Sequence, residues 1–231
     1  MRTLLIAASA LLAFSSAAGA TTRNFGIESF TKIRVEGPFK VTLTTGVPPY
    51  ARAEGSPTSI ERVAVEVRGD TLIIRNDPSA WGGYPGESLG PVEIFVGVHD
   101  LTSAALTGAG SLAINRVQGL TFSLNVQGSG GATIDDVAAD QMEVDLFGTA
   151  SARLKGKALK LAALARGLST IEATGLTTPN AHLTADGTAT INATVTDTAL
   201  IDAWGPATIR LSGQPNCTLR VSGSTTVSGC R

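Results

Sequence analysis

Histidine is almost missing from this chain. His99 and His182 are the only two, and neither has a cysteine or carboxylate at a zinc-ligand spacing, so no metal site is expected. A Ser-His-Asp hydrolase needs a partnered histidine, and His182 sits among Thr and Ala in a strand-like stretch that should face solvent. Charge is also scarce, at 16% of residues, and it is balanced: 18 Lys+Arg against 19 Asp+Glu. A nucleic-acid partner would want a basic excess, so none is expected. Aromatics make up only 5%. No later stretch approaches the ~20 apolar residues that span a bilayer. No amphipathic helical stripe of useful length occurs either. Gly128-Ser129-Gly130-Gly131 looks like a phosphate loop, but it lacks the strand-loop-helix context that would make it one. The Gly-Gly-x-Gly-x-Asp calcium nonapeptide does not recur. No cofactor is expected.

What is present begins with an export signal. Arg2 precedes a short apolar run from Leu4 to Phe14, and Ala18-Gly19-Ala20 has the small-x-small form of a signal-peptidase site. Residues 1–20 are therefore read as a signal peptide and 21–231 as one exported domain, periplasmic, secreted or at the cell surface. No cysteine follows the apolar run, so no lipid anchor is expected there.

The exported part is repetitive. Gly108, Gly128, Gly148, Gly167, Gly187, Gly205 and Gly223 are spaced 20, 20, 19, 20, 18 and 18 apart. Two residues before them stand Leu106, Val126, Leu146, Ala165, Ala185, Ala203 and Val221. Four before stand Ala104, Leu124, Val144, Ala163, Leu183, Ile201 and Leu219, with mostly polar residues between. This is period two, the mark of half-buried strands. Alternation resumes after the glycine, as in Ile191 with Ala193 and Ile209 with Leu211. Each coil of about 18–20 residues thus carries two strands joined at a glycine corner, where positive φ favours a residue without Cβ. Two residues beyond each glycine the side chain is always small, as a corner stacked at ~4.8 Å requires. One coil cannot offset its own ordering entropy, so the coils must stack into an all-β solenoid. Seven coils run from about residue 103, a column of about 30 Å at that spacing. Cys217 lies six residues before Gly223 and Cys230 seven after it. In a coil of this size they approach each other across the third side, and a Cys217–Cys230 disulfide is expected in an oxidising compartment.

Residues 27–100 follow the same grammar less strictly. Ile33 to Val35, Val41 to Leu43, Val63 to Val67, Leu72 to Ile74 and Val92 to Val96 read as strands of irregular coils in the same column. A long loop from Asn76 to Pro91 carries Trp81 and Tyr84. The opening Phe30-Thr31-Lys32-Ile33-Arg34-Val35-Glu36-Gly37-Pro38-Phe39-Lys40-Val41 resembles the start of the auto-transporter adhesin head domain, the GIN domain. The strand pair from Val63 to Arg75 and the small-Gly-small corners after Leu101-Thr102-Ser103 continue the likeness, which covers about residues 28–229. The resemblance implies a right-handed parallel β-helix, exported, and brings no catalytic residues with it. The family often keeps Gly-Ser-Gly at its corners; here the second glycine is replaced after Gly130 by other small residues. The sequence closes its last coil at Arg231, so the C-terminal barrel of an auto-transporter is not expected.

The outward row one residue before each glycine reads Thr107, Gln127, Phe147, Arg166, Asp186, Trp204, Ser222. Three before, it reads Ala105, Asn125, Asp145, Leu164, Thr184, Asp202, Arg220. Phe147, Arg166, Asp186 and Trp204 should therefore form a ladder beside Asp145 and Asp202, combining flat apolar area with orienting polar groups. That is the expected binding face of a non-enzymatic, adhesin-like protein, for a surface glycan or a protein. The loop with Trp81 and Tyr84 is the rival site. Two other readings stand beside this one. Asp186 and Asp202 on neighbouring coils would suit a polysaccharide hydrolase or lyase, and a purely structural envelope protein would need no site.

Overall fold

Strict alternation of small inward and polar outward side chains suits strands, and recurrent left-handed glycines bend those strands into coils. The computed structural model of the chain describes residues 21–79 and 90–231. The proposed signal segment and the loop carrying Trp81 and Tyr84 lie outside the described residues. The N-terminal part contains β1 (Thr21–Phe25), β2 (Lys32–Glu36), β3 (Lys40–Thr45), β4 (Tyr50–Gly55), the one-turn helix α1 (Pro57–Glu61), β5 (Val63–Arg68), β6 (Thr71–Asn76) and β7 (Glu93–Val98). Then follow β8 (Ser103–Gly108), β9 (Ser111–Gly128), β10 (Gly131–Gly148), β11 (Ser151–Gly167), β12 (Thr170–Asp186) and β13 (Thr190–Trp204). The chain finishes with β14 (Thr208–Ser212), β15 (Asn216–Ser222) and β16 (Thr226–Ser228).

From β8 on, all pairing is parallel and each coil sits on the one before it. Corner glycine meets corner glycine, as in Gly108↔Gly128 and Gly148↔Gly167. The fold is a β-solenoid. At the Gly148 corner φ is +94°, and a Cβ would stand 2.7 Å from the Gly128 carbonyl oxygen below. Two residues on, a Cβ at Gly130 would lie 2.7 Å from the Gly110 carbonyl oxygen, which is why this row stays small.

The core is richer than two rows. The expected rows, such as Leu124, Val126, Val144 and Leu146, are buried. A third inward row lies six residues before the five glycines from Gly128 to Gly205: Phe122, Met142, Leu161, Ala181 and Ala199. Val117, Val137, Leu176 and Val195 close the third side. The two-strand coil is thus corrected: β9 to β13 each run unbroken through all three sides, with register shifts at the second bend and, between β12 and β13, a further one at Thr178/Asn180. No buried side-chain nitrogen or oxygen among the described residues lacks a partner. The buried Thr178 and Ser169 hydroxyls, for example, donate to main-chain carbonyls of Asn180 and Arg166.

Two further corrections concern the ends. Residues 27–100 are not simply irregular coils. Strands β2 and β3 stack on β8 and β9, and β6 and β7 stack on the far side of β2 and β3, so chain order and stacking order differ. Beyond them the pairing turns antiparallel: β5 covers β6, β4 covers β7, and β1 covers β4. This is a cap, and it protects sheet edges as exposed edges require. At the other end Leu219 and Val221, expected inside, are each 47% exposed because no strand lies over them among the described residues. Cys217 and Cys230 are bonded there, at 2.02 Å.

Candidate functional site

The strand segment that ends at each glycine forms the first side of the column, and its outward rows hold the expected ladder. Register places Gln127↔Phe147↔Arg166↔Asp186↔Trp204↔Ser222 as successive neighbours. Beside it run Asn125↔Asp145↔Leu164↔Thr184↔Asp202↔Arg220. All six residues expected at the site, Phe147, Arg166, Asp186, Trp204, Asp145 and Asp202, therefore share one face. Trp81 and Tyr84 lie outside the described residues.

Contacts divide the ladder into parts. The Arg166 Nε–H donates to Asp186 Oδ2 at 2.9 Å, and its guanidinium carbon lies 6.0 Å from the Phe147 ring centroid. Phe147, Arg166 and Asp186 thus form a closed group with charges balanced internally, and the pair is exposed enough for solvent to screen it. Trp204 stands apart, 48% exposed at the edge of the ladder. The face is not an unbroken aromatic strip: two flat groups flank an ion pair.

A third outward row completes the face: Ser123, Glu143, Ala162, His182, Leu200 and Thr218. Sequence reasoning stopped at the second row, although the same count back from each glycine reaches this one. It supplies two features. His182 Nε2 and Asp202 Oδ2 are 2.8 Å apart, so Nε2–H donates to the carboxylate. Asp202 is largely covered, its side chain 13% exposed, with Arg220 Nη1 3.9 Å from its other oxygen. Glu143 stands two residues before Asp145 on the same strand face. Partial burial first, and the Glu143 charge second, push the Asp145 carboxyl above its ordinary value.

What can this arrangement do? Among the described residues no three His, Cys, Asp or Glu side chains gather as metal ligands. The His182 ring has Asp202 as its hydrogen-bond partner, and no hydroxyl is bonded to it among the described residues. His99 lies elsewhere, lining a polar hollow of about 220 Å³ with Thr45, Asp100, Asn115 and Arg116. The first side is a flat, laterally repeating surface with aromatic, amide, carboxylate and imidazole groups in fixed register. Such a surface suits recognition of an extended partner.

Residues 29–215 match the family described as "Putative auto-transporter adhesin, head GIN domain". The chain belongs to that family. Among solved structures, this GIN domain is similar to a protein from Bacteroides fragilis NCTC 9343, described as a putative adhesin. The identity is 20% over 91% of this chain and 97% of that one, with a TM-score of 0.84. It is also similar to a putative lipid binding protein from Parabacteroides distasonis ATCC 8503, at 17% identity over 91% and 96% of the two chains and a TM-score of 0.72. A third likeness, to a putative adhesin from Parabacteroides merdae ATCC 43184, has 16% identity over 91% and 96% and a TM-score of 0.67. At these identities the likenesses establish the fold of the GIN domain and leave its ligand open. No curated protein matches the chain. No helix among the described residues is long and apolar enough to cross a membrane.

Proposed function

We propose that this GIN domain is an exported, adhesin-like binding protein without catalytic activity, and that the first side of its column holds a surface glycan or an extended protein segment. One observation carries the reading: Phe147, Arg166, Asp186 and Trp204 stand in register beside Asp145, Thr184 and Asp202 on a flat parallel sheet. A flat ring packs against an apolar patch of the ligand, while carboxylate, hydroxyl and imidazole groups orient its polar ones. The membership of an adhesin-head family and the signal-like segment at residues 1–20 support the same reading. A glycan and protein array probed with the mature chain and with Trp204→Ala tests it. The expected result is binding that weakens roughly tenfold on loss of the ring. Equal binding by both chains removes the first side from the mechanism. Bond cleavage in any arrayed polysaccharide would favour an enzyme instead.

A second reading has its own observation. A groove of about 430 Å³ along the third side is lined by Ala138, Ala139, Ala158, Leu159 and Pro179, with Lys157, Asp140 and Thr177 beside them. Apolar walls with one cation and one carboxylate suit an acyl chain with a polar head, and one structural neighbour is described as lipid-binding. Fatty-acid titration against Leu159→Asp separates this reading from the first.

A further inference from the structure

The two ends of the column are finished differently. At the N-terminal end the chain covers its own edges with β5, β4 and β1. At the other end, among the described residues, β15 has β13 as its one strand neighbour and β16 has β14. In the two coils below, the residues that match Leu219 and Val221 are Ile201, Leu183, Ala203 and Ala185, all 0% exposed. Leu219 and Val221, each 47% exposed, are core-type side chains that no strand covers among the described residues, and the edge of β15 there presents a row of main-chain donors and acceptors. Such an edge is a template for another strand.

This edge is also held in place. The Cys217–Cys230 bond ties the last coil across its third side. The Arg231 main-chain N–H donates to the Pro215 carbonyl at 3.0 Å, and Arg231 Nε–H donates to Asn216 Oδ1 at 3.3 Å. An ordered edge binds an incoming strand at a lower entropy cost than a frayed one. Its own sequence is one-sided in charge: from Gly205 to Arg231 it holds Arg210, Arg220 and Arg231 and no Asp or Glu, and the nearby carboxylate of Asp202, 3.9 Å from Arg220, is already bonded to His182. Arg220 projects outward between Leu219 and Val221, its side chain 72% exposed.

We infer that the free edge of β15 accepts an extended segment of a partner protein as an added strand, in which an acidic residue opposite Arg220 is flanked by apolar residues that cover Leu219 and Val221. Strand addition supplies affinity through main-chain hydrogen bonds and specificity through alternate side chains. A second copy of this chain fits less well. Two such edges bring the arginines of both copies together, and the one carboxylate described near Arg220, that of Asp202, is already engaged by His182. The N-terminal end is stepped, with β4 and β1 beyond β7 but β5 alone beyond β6, so a flush end meets one side and misses the other.

The test uses the full mature chain and a fluorescent peptide as long as β15, seven residues, alternating valine and glutamate. A matched peptide with lysine for glutamate is the control, and anisotropy is the readout. The valine–glutamate peptide should bind roughly tenfold or more tightly than its lysine counterpart. Arg220→Glu, once circular dichroism shows it folded, should reverse the preference. Trp204→Ala should leave it unchanged, which separates this edge from the first-side ladder. Absence of binding, equal binding of both peptides, or a preference that survives Arg220→Glu overturns the proposal. So does a concentration-dependent dimer in light scattering that Leu219→Asp abolishes, since the second copy would then be the occupant.

Discussion

The middle of the column and its N-terminal segment obey the same alternation and reach different structures. Between Ser103 and Trp204 every coil has a parallel neighbour above and below, a glycine at one corner and small residues beside it. Between Thr21 and Val98 the chain doubles back, pairs antiparallel and stacks its later strands outside its earlier ones. The difference teaches where the constraints come from. A coil with two neighbours has its backbone fixed on both edges, so a corner admits one residue type. A hairpin at the end of the stack has one free edge and can give way.

The largest expected effect breaks that contrast directly. Gly148→Val places a β-branched residue at a φ of +94°, against a backbone carbonyl that cannot withdraw. The expected loss is about 4 kcal/mol or more. The turn glycine of the β5–β6 hairpin, Gly69, also has positive φ, +63°, but nothing lies within 4 Å of a Cβ there. Gly69→Ala should cost only about 1 kcal/mol. Urea denaturation of the two variants compares them, and similar losses would mean that stacking adds nothing to the corner's demand.

A second pair sharpens the comparison at the other end. Leu146 and Val221 occupy the same inward row, fully buried in the first case and 47% exposed in the second. Leu146→Asp forces an unpaired carboxylate into the core and should cost several kcal/mol. Val221→Asp leaves its carboxylate in water and should cost about 1 kcal/mol or less. Thermal melts decide it; equal shifts would show that the last coil is covered in solution.

The same contrast explains what could be read in the sequence. The seven glycines were legible because a left-handed corner under a stacked neighbour excludes every residue with a Cβ. Their even spacing then aligned Phe147, Arg166, Asp186 and Trp204 without further help. The third inward row was missed because it ranges from Phe122 to Ala181 and shows no shared chemistry. Strand β4 was missed because its inward residues, Ala51 and Ala53, are small, and β1 because it buries almost nothing and so shows no alternation. Alternation reports which way a side chain faces and says nothing of which strand lies beside it, so the outward placement of β6 and β7 was not legible. Nor was the Arg166–Asp186 pair beside Phe147, since register sets proximity but side-chain rotamers choose the partner.

Cysteine removal has a smaller and more local effect. The Cys217–Cys230 bond closes a separation of 13 residues, for which chain entropy gives about 3 kcal/mol. That contribution falls on the end coil. Cys217→Ser with Cys230→Ser should therefore raise amide exchange from Asn216 to Arg231 while β9 to β12 keep their protection. Faster exchange throughout would show that the end coil supports the whole column.

The smallest expected effect is electrostatic and sits in the middle. Partial burial, with Glu143 adding to it, holds the Asp145 carboxyl above its ordinary value, so the folded state binds this proton more readily than the unfolded chain. The contribution favouring the fold is complete below the unfolded value and is lost as pH rises through the folded one. Wild type should therefore gain stability relative to Asp145→Asn as pH falls across the upper carboxylate range. Glu66 in the N-terminal hairpin provides the opposite case. Desolvation raises its pKa, but hydrogen bonds from Arg75 and Arg68 outweigh it, and the net value is lowered. Its support is present above the unfolded value and fades as pH falls through the folded one, so Glu66→Gln should be most harmful at neutral pH. Both carboxylates are only partly covered and remain in reach of solvent, so each melting temperature should differ from wild type by only about a degree or two. The signs are the measurement: melts across the acidic range should show the Asp145→Asn variant losing ground to wild type toward low pH and Glu66→Gln regaining it. Matching slopes in the two variants would mean that the charged neighbours of these groups do not differ as the structure places them.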